Sequence, residues 1–350
     1  MEPLLKGPIP AERAATCDRC AMLPSGDAPV DRSEFFSAST KCCTYLPELA
    51  NFLVGRVLTD DDLEAAAGRA TVEARIDKKV GVSPLGLHRT PVYSLMYRSS
   101  PASFGRAVSM RCPHYVVDGG RCGVWRHRES TCATWFCKYG RGETGRAFWQ
   151  RLHDTLGACE GAVRLHCLME LGLDVRALAA LHPTQAVANA SARPGNLGAP
   201  DLDGEFVPAA YRAAWGAWEG REREFFSSCA EIANALDWPE VLALGGARLE
   251  VLVALLLDAY KKLVGDEVPA RVRRRRLNVV YASPESVQVV GYSPMDALRV
   301  PKELVDVLHC FDGRPTAAAL AGISEVHGLD VEPGVVRKLV DFGILSAEED

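Results

Sequence analysis

Twelve cysteines constrain this 350-residue chain more than any other feature, and their placement matters more than their number. Eight of them, Cys17, Cys20, Cys42, Cys43, Cys112, Cys122, Cys132 and Cys137, fall within the first 137 residues; the other four are scattered. Thiolates bind soft metals and iron–sulfur clusters. In a reducing compartment a cysteine cluster means metal or redox chemistry more often than disulfides. Met1 to Thr16 carries no apolar leader, so a secreted disulfide domain is disfavoured and a cytoplasmic location is expected. The longest apolar run, Leu249 to Leu257, is broken by Glu250 and is too short for a bilayer. A net charge of −5 gives no overall bias toward nucleic acid or membrane.

The spacing divides the eight into two groups. Cys17-Asp18-Arg19-Cys20 is a C-x2-C pair, in which both thiolates can reach one ion from a tight turn. A redox dithiol would need a strand–helix setting that is missing here. Cys42 and Cys43 are adjacent, which strains a mutual disulfide but suits a shared cluster or two neighbouring sites. In the second group, nine residues separate Cys112 from Cys122 and nine separate Cys122 from Cys132; four separate Cys132 from Cys137.

The order Cys17-x2-Cys20, Cys42-Cys43, Cys112-Pro113, Gly120-Arg121-Cys122-Gly123-Val124-Trp125, Arg128, then Cys132 with Phe136 resembles the YkgJ-type cysteine-cluster family. That family is described as a zinc- or iron-chelating domain. The resemblance covers about residues 17–137. It departs in two places: 21 residues stand between Cys20 and Cys42, where the family holds its early cysteines close together, and Cys137 lies beyond the usual pattern. All-cysteine ligation suits structural zinc and cubane clusters alike, and an iron–sulfur cluster, [4Fe–4S] before other types, is favoured over zinc. One site or two remain open.

Other residues in this region read more plainly. Arg121, Arg126, Arg128 and Lys138 surround the thiolates and read as charge compensation. His88, His114 and His127 read as surface histidines. Asp60 to Asp62 open a helix expected to run to about Ile76. Leu46 to Gly55 reads as extended and buried, and Val80 to Tyr97 as loop with a short strand. Met22 to Asp31 is an irregular loop, and Gly140 to Gly145 reads as a flexible hinge.

A helical middle follows. Phe148 to Leu171 recurs with helical spacing and carries Cys159 and Cys167 as core residues. A short helix is expected from Asp174 to Leu181, then a loop from Pro183 to Pro208. Tyr211, Trp215, Trp218, Phe225 and Phe226 form an aromatic stripe on a helix to about Leu236. Another helix starts at Trp238.

Arg271 to Arg276 is a basic run, read as a solvated linker because it is too short and isolated for a nucleic-acid site. Beyond it, Leu277 to Tyr281 and Ser286 to Tyr292 form a hairpin. Three helices are expected over Pro301–Cys310, Thr316–His327 and Glu332–Phe342. This arrangement resembles a winged helix and is similar to PqqD-type peptide-recognition domains, which implies a protein or peptide partner.

The sequence thus predicts an α+β chain: an irregular cysteine-rich metal-binding domain at 1–142, a helical region at 143–268, and a winged-helix-like module at 277–350. The expected function is metal binding, in electron transfer or partner maturation. Two alternatives stand beside it. One is a cluster-dependent protein-modifying enzyme, since flagellin lysine methylases have a similar cysteine pattern; no paired nucleophile and base supports it in the sequence. The other is a zinc-stabilised regulator.

Overall fold

The computed structural model describes residues 2–12, 16–17, 20–23, 36–174 and 208–348. Most of the Met22–Asp31 loop, the helix expected over Asp174 to Leu181 beyond its first residue, and the loop up to Pro208 lie outside the described residues. The chain is a mixed α+β protein in which helices predominate. Its contacts divide it into two compact units. One, here the cysteine unit, comprises Thr16–Trp135 and His153–Leu252; the other, the C-terminal unit, comprises Met1–Ala15, Phe136–Leu152 and Val253–Asp350. The division falls within two helices, Gly142–Glu170 and Trp238–Val264. Among the described residues, no helix is long and apolar enough to cross a membrane.

The core of the cysteine unit is built on the helix Asn51–Thr59. Phe52, Leu53, Val54 and Val57 are all buried, because this helix is covered on more than one face. The sequence reading of Leu46–Gly55 as extended is therefore corrected. Only Leu49–Ala50 is strand, paired antiparallel with Gly86–Leu87. The buried Asn51 secures the switch from strand to helix. Its side-chain amide donates to the carbonyls of Pro84 and Arg164 at 3.2 and 3.1 Å, and its Oδ1 accepts the Phe52 N–H at 2.8 Å.

The helix Glu222–Ala235 lies against Asn51–Thr59. They approach most closely at Gly55, where a Cβ would stand 1.9 Å from the Phe226 carbonyl oxygen. A larger residue there would push the helices apart. Trp215 packs edge-on against Phe225 and Phe226, so the aromatic stripe is core. Each such ring stabilises by about 1.5–3 kcal/mol when fully buried. Cys167 and Cys229 are buried in the same cluster.

Around this core the chain is more irregular. Val82–Ser83 and Gly86–Leu87 pair tightly. A helix, Pro91–Ser99, then replaces the loop expected there; Thr90 caps it by accepting the Tyr93 N–H, and Pro91 supplies the first turn. His88 is buried, with Nε2 2.7 Å from Ser83 Oγ, and is not a surface residue.

In the C-terminal unit the basic run becomes structure. Arg271–Arg274 is the central strand of a three-stranded antiparallel sheet, flanked by Asp312–Pro315 and Leu345–Ala347. Alternation puts Val272 in the core and leaves Arg273 outside, where it pairs with Glu348. This corrects the solvated-linker reading. A second sheet contains Asn278–Ala282, Ser286–Val290 and Leu298–Pro301. Helices Lys302–Val307, Thr316–His327 and Pro333–Asp341 follow the expected positions.

The segment read as a hinge is anchored. Arg141 donates to both carboxylate oxygens of Asp341 at 2.5 and 3.0 Å, and to the carbonyls of Leu263 and Gly265. Gly142, at φ +51°, begins the next helix, and a Cβ on it would meet the Asp341 carbonyl oxygen at 2.4 Å.

Candidate metal centre

Seven of the eight candidate ligands belong to the cysteine unit: Cys17, Cys20, Cys42, Cys43, Cys112, Cys122 and Cys132. The eighth, Cys137, belongs to the C-terminal unit. Short backbone devices assemble the seven. The Cys112 N–H donates to the Cys43 carbonyl at 2.7 Å, joining the early cysteines to the later group. Cys122 sits in the two-residue strand Arg121–Cys122, opposite Tyr115. The turn between these strands uses Gly119 and Gly120, both at positive φ.

Lys41 ties the first loop to this turn. It is buried, and its Nζ donates to the carbonyl oxygens of Cys17 at 2.5 Å and Gly120 at 2.6 Å. Cys132 lies on the helix Ser130–Thr134, which Glu129 caps by accepting the N–H groups of Thr131 and Cys132 at 2.6 and 2.9 Å. Neither Lys41 nor Glu129 stood out in the sequence, because each acts on backbone groups of the motif, which cysteine spacing does not show.

The seven thiols form one electrostatic neighbourhood. Cys42 acts on Cys17, Cys20 and Cys112; Cys122 acts on Cys43, Cys112 and Cys132. Within it, backbone N–H groups are aimed at sulfur. Cys20 receives the N–H of Met22, Cys112 that of His114, and Cys122 that of Val124, in each case from the residue two positions on. Cys17 receives the N–H of Cys122. Such donors stabilise a thiolate over a thiol.

The Arg128 guanidinium lies near Cys122, Cys132, Cys17 and Cys42, and stacks 3.4 Å over the Trp125 ring. Of the cations flagged in the sequence, Arg128 is the one set among the thiols. Arg121 reaches the Glu64 carbonyl and Arg126 pairs with Asp62.

Without a metal, burial dominates these thiols. It pushes Cys112 up to about 12 and Cys122 up to about 11. Cys132 is raised by burial and by the Glu129 carboxylate. Cys42 and Cys43 are an exception: the hydrogen bond from Cys43 brings Cys42 down to about 7 and raises Cys43. A bound cation would offset the repulsion among thiolates and displace these protons.

The two histidines of the motif differ from expectation. His114 is buried, with Nδ1 2.7 Å from Thr71 Oγ1. The single Thr71 hydroxyl proton goes to the Gly68 carbonyl, also at 2.7 Å, so Nδ1 must carry the proton. Its Nε2 has no hydrogen-bond partner among the described residues. Burial and then Arg75 bring the imidazole down to about 3. Burial and the Arg75 guanidinium thus keep His114 a neutral imidazole. His127 is half-buried, with Nε2 2.8 Å from Asp60 Oδ2. Asp60 does not open the expected helix: it follows the end of Asn51–Thr59, Asp62 caps the Leu63–Ala65 turn ahead of the helix Ala66–Asp77, and Asp60 instead holds the Trp125–His127 turn. A cavity of about 180 Å³ opens here, lined by Asp60, Glu64, Arg121, Cys122, Trp125 and His127, among others.

Chemically, the arrangement is a thiol-rich, largely buried donor set suited to a soft cation or cluster. Comparison with protein-family models, curated proteins and solved structures finds no match to this chain.

Proposed function

We propose that the chain is a metal-binding protein whose cysteine unit holds an iron–sulfur cluster, with zinc as the alternative. Cys17, Cys20, Cys42, Cys43, Cys112, Cys122 and Cys132 form the donor set, and Cys137 is an eighth candidate. The observation that carries this reading is the joint placement of seven thiols, four of them with a backbone N–H aimed at sulfur and Arg128 among them. The resemblance to the YkgJ-type pattern points the same way.

All-cysteine ligation suits a cubane cluster and structural zinc alike, and the cluster is placed first; zinc at about 2.3 Å from each sulfur would draw the sulfurs to about 3.8 Å of one another. Burial of the sulfurs and N–H donors to them are the levers that tune a cluster's potential, so electron transfer or maturation of a protein partner is the role proposed. The winged-helix-like C-terminal module is the proposed contact for a protein or peptide. Nucleic acid is not favoured, since the basic run is short and isolated and Arg273 is paired with Glu348.

A second reading, a cluster-dependent protein-modifying enzyme, has one observation in its favour. The cavity beside Cys122 is lined by the His127–Asp60 pair, which can hold or move a proton next to a cluster.

The test is a pair of variants purified anaerobically. Cys122→Ser removes a central thiol and is expected to lose most bound metal. Cys159→Ala, a helix cysteine outside the donor set, is expected to retain it. Equal metal in the two proteins would overturn the ligand set.

A further inference from the structure

The C-terminal unit carries a different group of donors. His309 and Cys310 end the turn Leu308–Cys310, and His327 is the last residue of the helix Thr316–His327. Gly328, at φ +63°, stops that helix in a left-handed cap, so the chain turns away and leaves the His327 side chain at the end. Three ligand atoms, one from each residue, lie within 4.8 Å of one another. Cys310 Sγ is 3.6 Å from His309 Nε2 and 4.0 Å from His327 Nε2. Both histidines are exposed, and Cys310 is half-buried.

The tautomer of His309 is set by its neighbour. Nδ1 lies 2.8 Å from the Asp306 carbonyl oxygen, which can only accept, so Nδ1 bears the proton. Nε2 is then a bare lone pair facing the sulfur. This is the outer-shell arrangement that orients a metal-binding imidazole. The same contacts suit a hydrogen-bonded trio, with the Cys310 thiol donating to His309 Nε2 and accepting from His327 Nε2, and the two arrangements differ in what zinc does to the thiol.

The distances match a tetrahedral ion. With Zn–S about 2.3 Å and Zn–N about 2.0–2.1 Å, sulfur and nitrogen on one zinc stand about 3.6 Å apart. The observed sulfur–nitrogen distances of 3.6 and 4.0 Å lie within a few tenths of an ångström of that value, and the two imidazole nitrogens lie within 4.8 Å of each other. The donor set of one thiolate and two imidazoles selects borderline and soft cations over magnesium or calcium.

We propose that His309, Cys310 and His327 form a second metal site, for zinc or a cation of similar chemistry, independent of the cysteine unit. The three donors leave a fourth position on the solvent side, open to water or to a donor from another molecule. Binding would clip the Leu308–Cys310 turn to the end of the Thr316–His327 helix. Arg314 is close enough to feel the Cys310 charge, but its guanidinium is paired with Asp312. The thiolate formed on binding offsets it.

The experiment uses the full chain, stripped of metal under reducing conditions, with zinc alone as the probe. Alkylation of each cysteine is followed by peptide mass spectrometry. Zinc is expected to slow Cys310 alkylation at least tenfold, the scale on which even an outer-shell partner alters metal affinity. The protection should vanish in His309→Gln and His327→Gln, two exposed substitutions that leave the core alone. It should survive in Cys122→Ser, which separates this site from the cysteine unit. Zinc that fails to slow Cys310 in the unaltered chain, or slows it equally in both glutamine variants, would overturn the proposal.

Discussion

The two donor groups solve opposite problems. In the cysteine unit Cys112 is buried and the other six thiols are half-buried, and desolvation raises most of them, so each must be stabilised before it can ionise. Backbone N–H groups, Arg128 and Lys41 do that work from fixed positions. At His309, Cys310 and His327 the donors stand near water, already at ligand spacing, with one imidazole tautomer set by a carbonyl. Thiols gathered in one place need a cation before they can all ionise together; donors spread at the surface do not. The first kind of site is part of the fold, and the second is added to a fold that already exists.

That contrast can be broken by removing metal from the whole protein. Chelation under reducing conditions is expected to unfold the cysteine region, with apparent losses on the order of 10 kcal/mol, the scale of structural metal sites. Hydrogen exchange followed peptide by peptide should then show residues 36–135 losing protection while residues 271–347 keep theirs. Equal loss in both regions would erase the distinction drawn here.

A smaller effect sharpens the comparison through charge. Glu160 is raised to about 7 by burial and by the neighbouring Glu129, with Ser130 as its hydrogen-bond donor. Its folded value lies above the ordinary 4.5. The folded state therefore holds the proton more tightly, and this contribution is present below about pH 4.5 and lost as pH rises toward about 7. Glu160→Gln keeps an acceptor for Ser130 and removes the titration. The variant should gain about 1–3 kcal/mol over the unaltered chain at pH 8 and show a flatter stability profile between pH 5 and 7. An unchanged profile would mean that Glu160 ionises freely in the folded protein.

Much of the architecture was legible where periodicity was strong. The Ser286 hairpin, the helices after Pro301 and the aromatic core around Trp215 follow from spacing of apolar residues. Misreadings came where tertiary contact decides local form. Leu46–Gly55 looks extended because most of its residues are apolar, but only Leu49–Ala50 is strand, and from Asn51 the chain is a helix covered on several sides. Arg271–Arg274 looks solvated because of its charge, yet one valine in register makes it a central strand. Cysteine spacing pointed to the thiols but not to Lys41 and Thr71, whose partners are distant in sequence, nor to Glu129, which caps the short helix that carries Cys132. His309–Cys310 and His327 come together across a strand and a helix, a relation that spacing alone does not reveal.

The central claim rests on what the buried thiols hold. Iron, zinc and acid-labile sulfide should be measured in the full-length protein purified without oxygen. The account predicts a brown protein with iron and sulfide in equal amounts. A colourless protein whose seven thiols all react freely, with neither iron nor zinc bound, would contradict it.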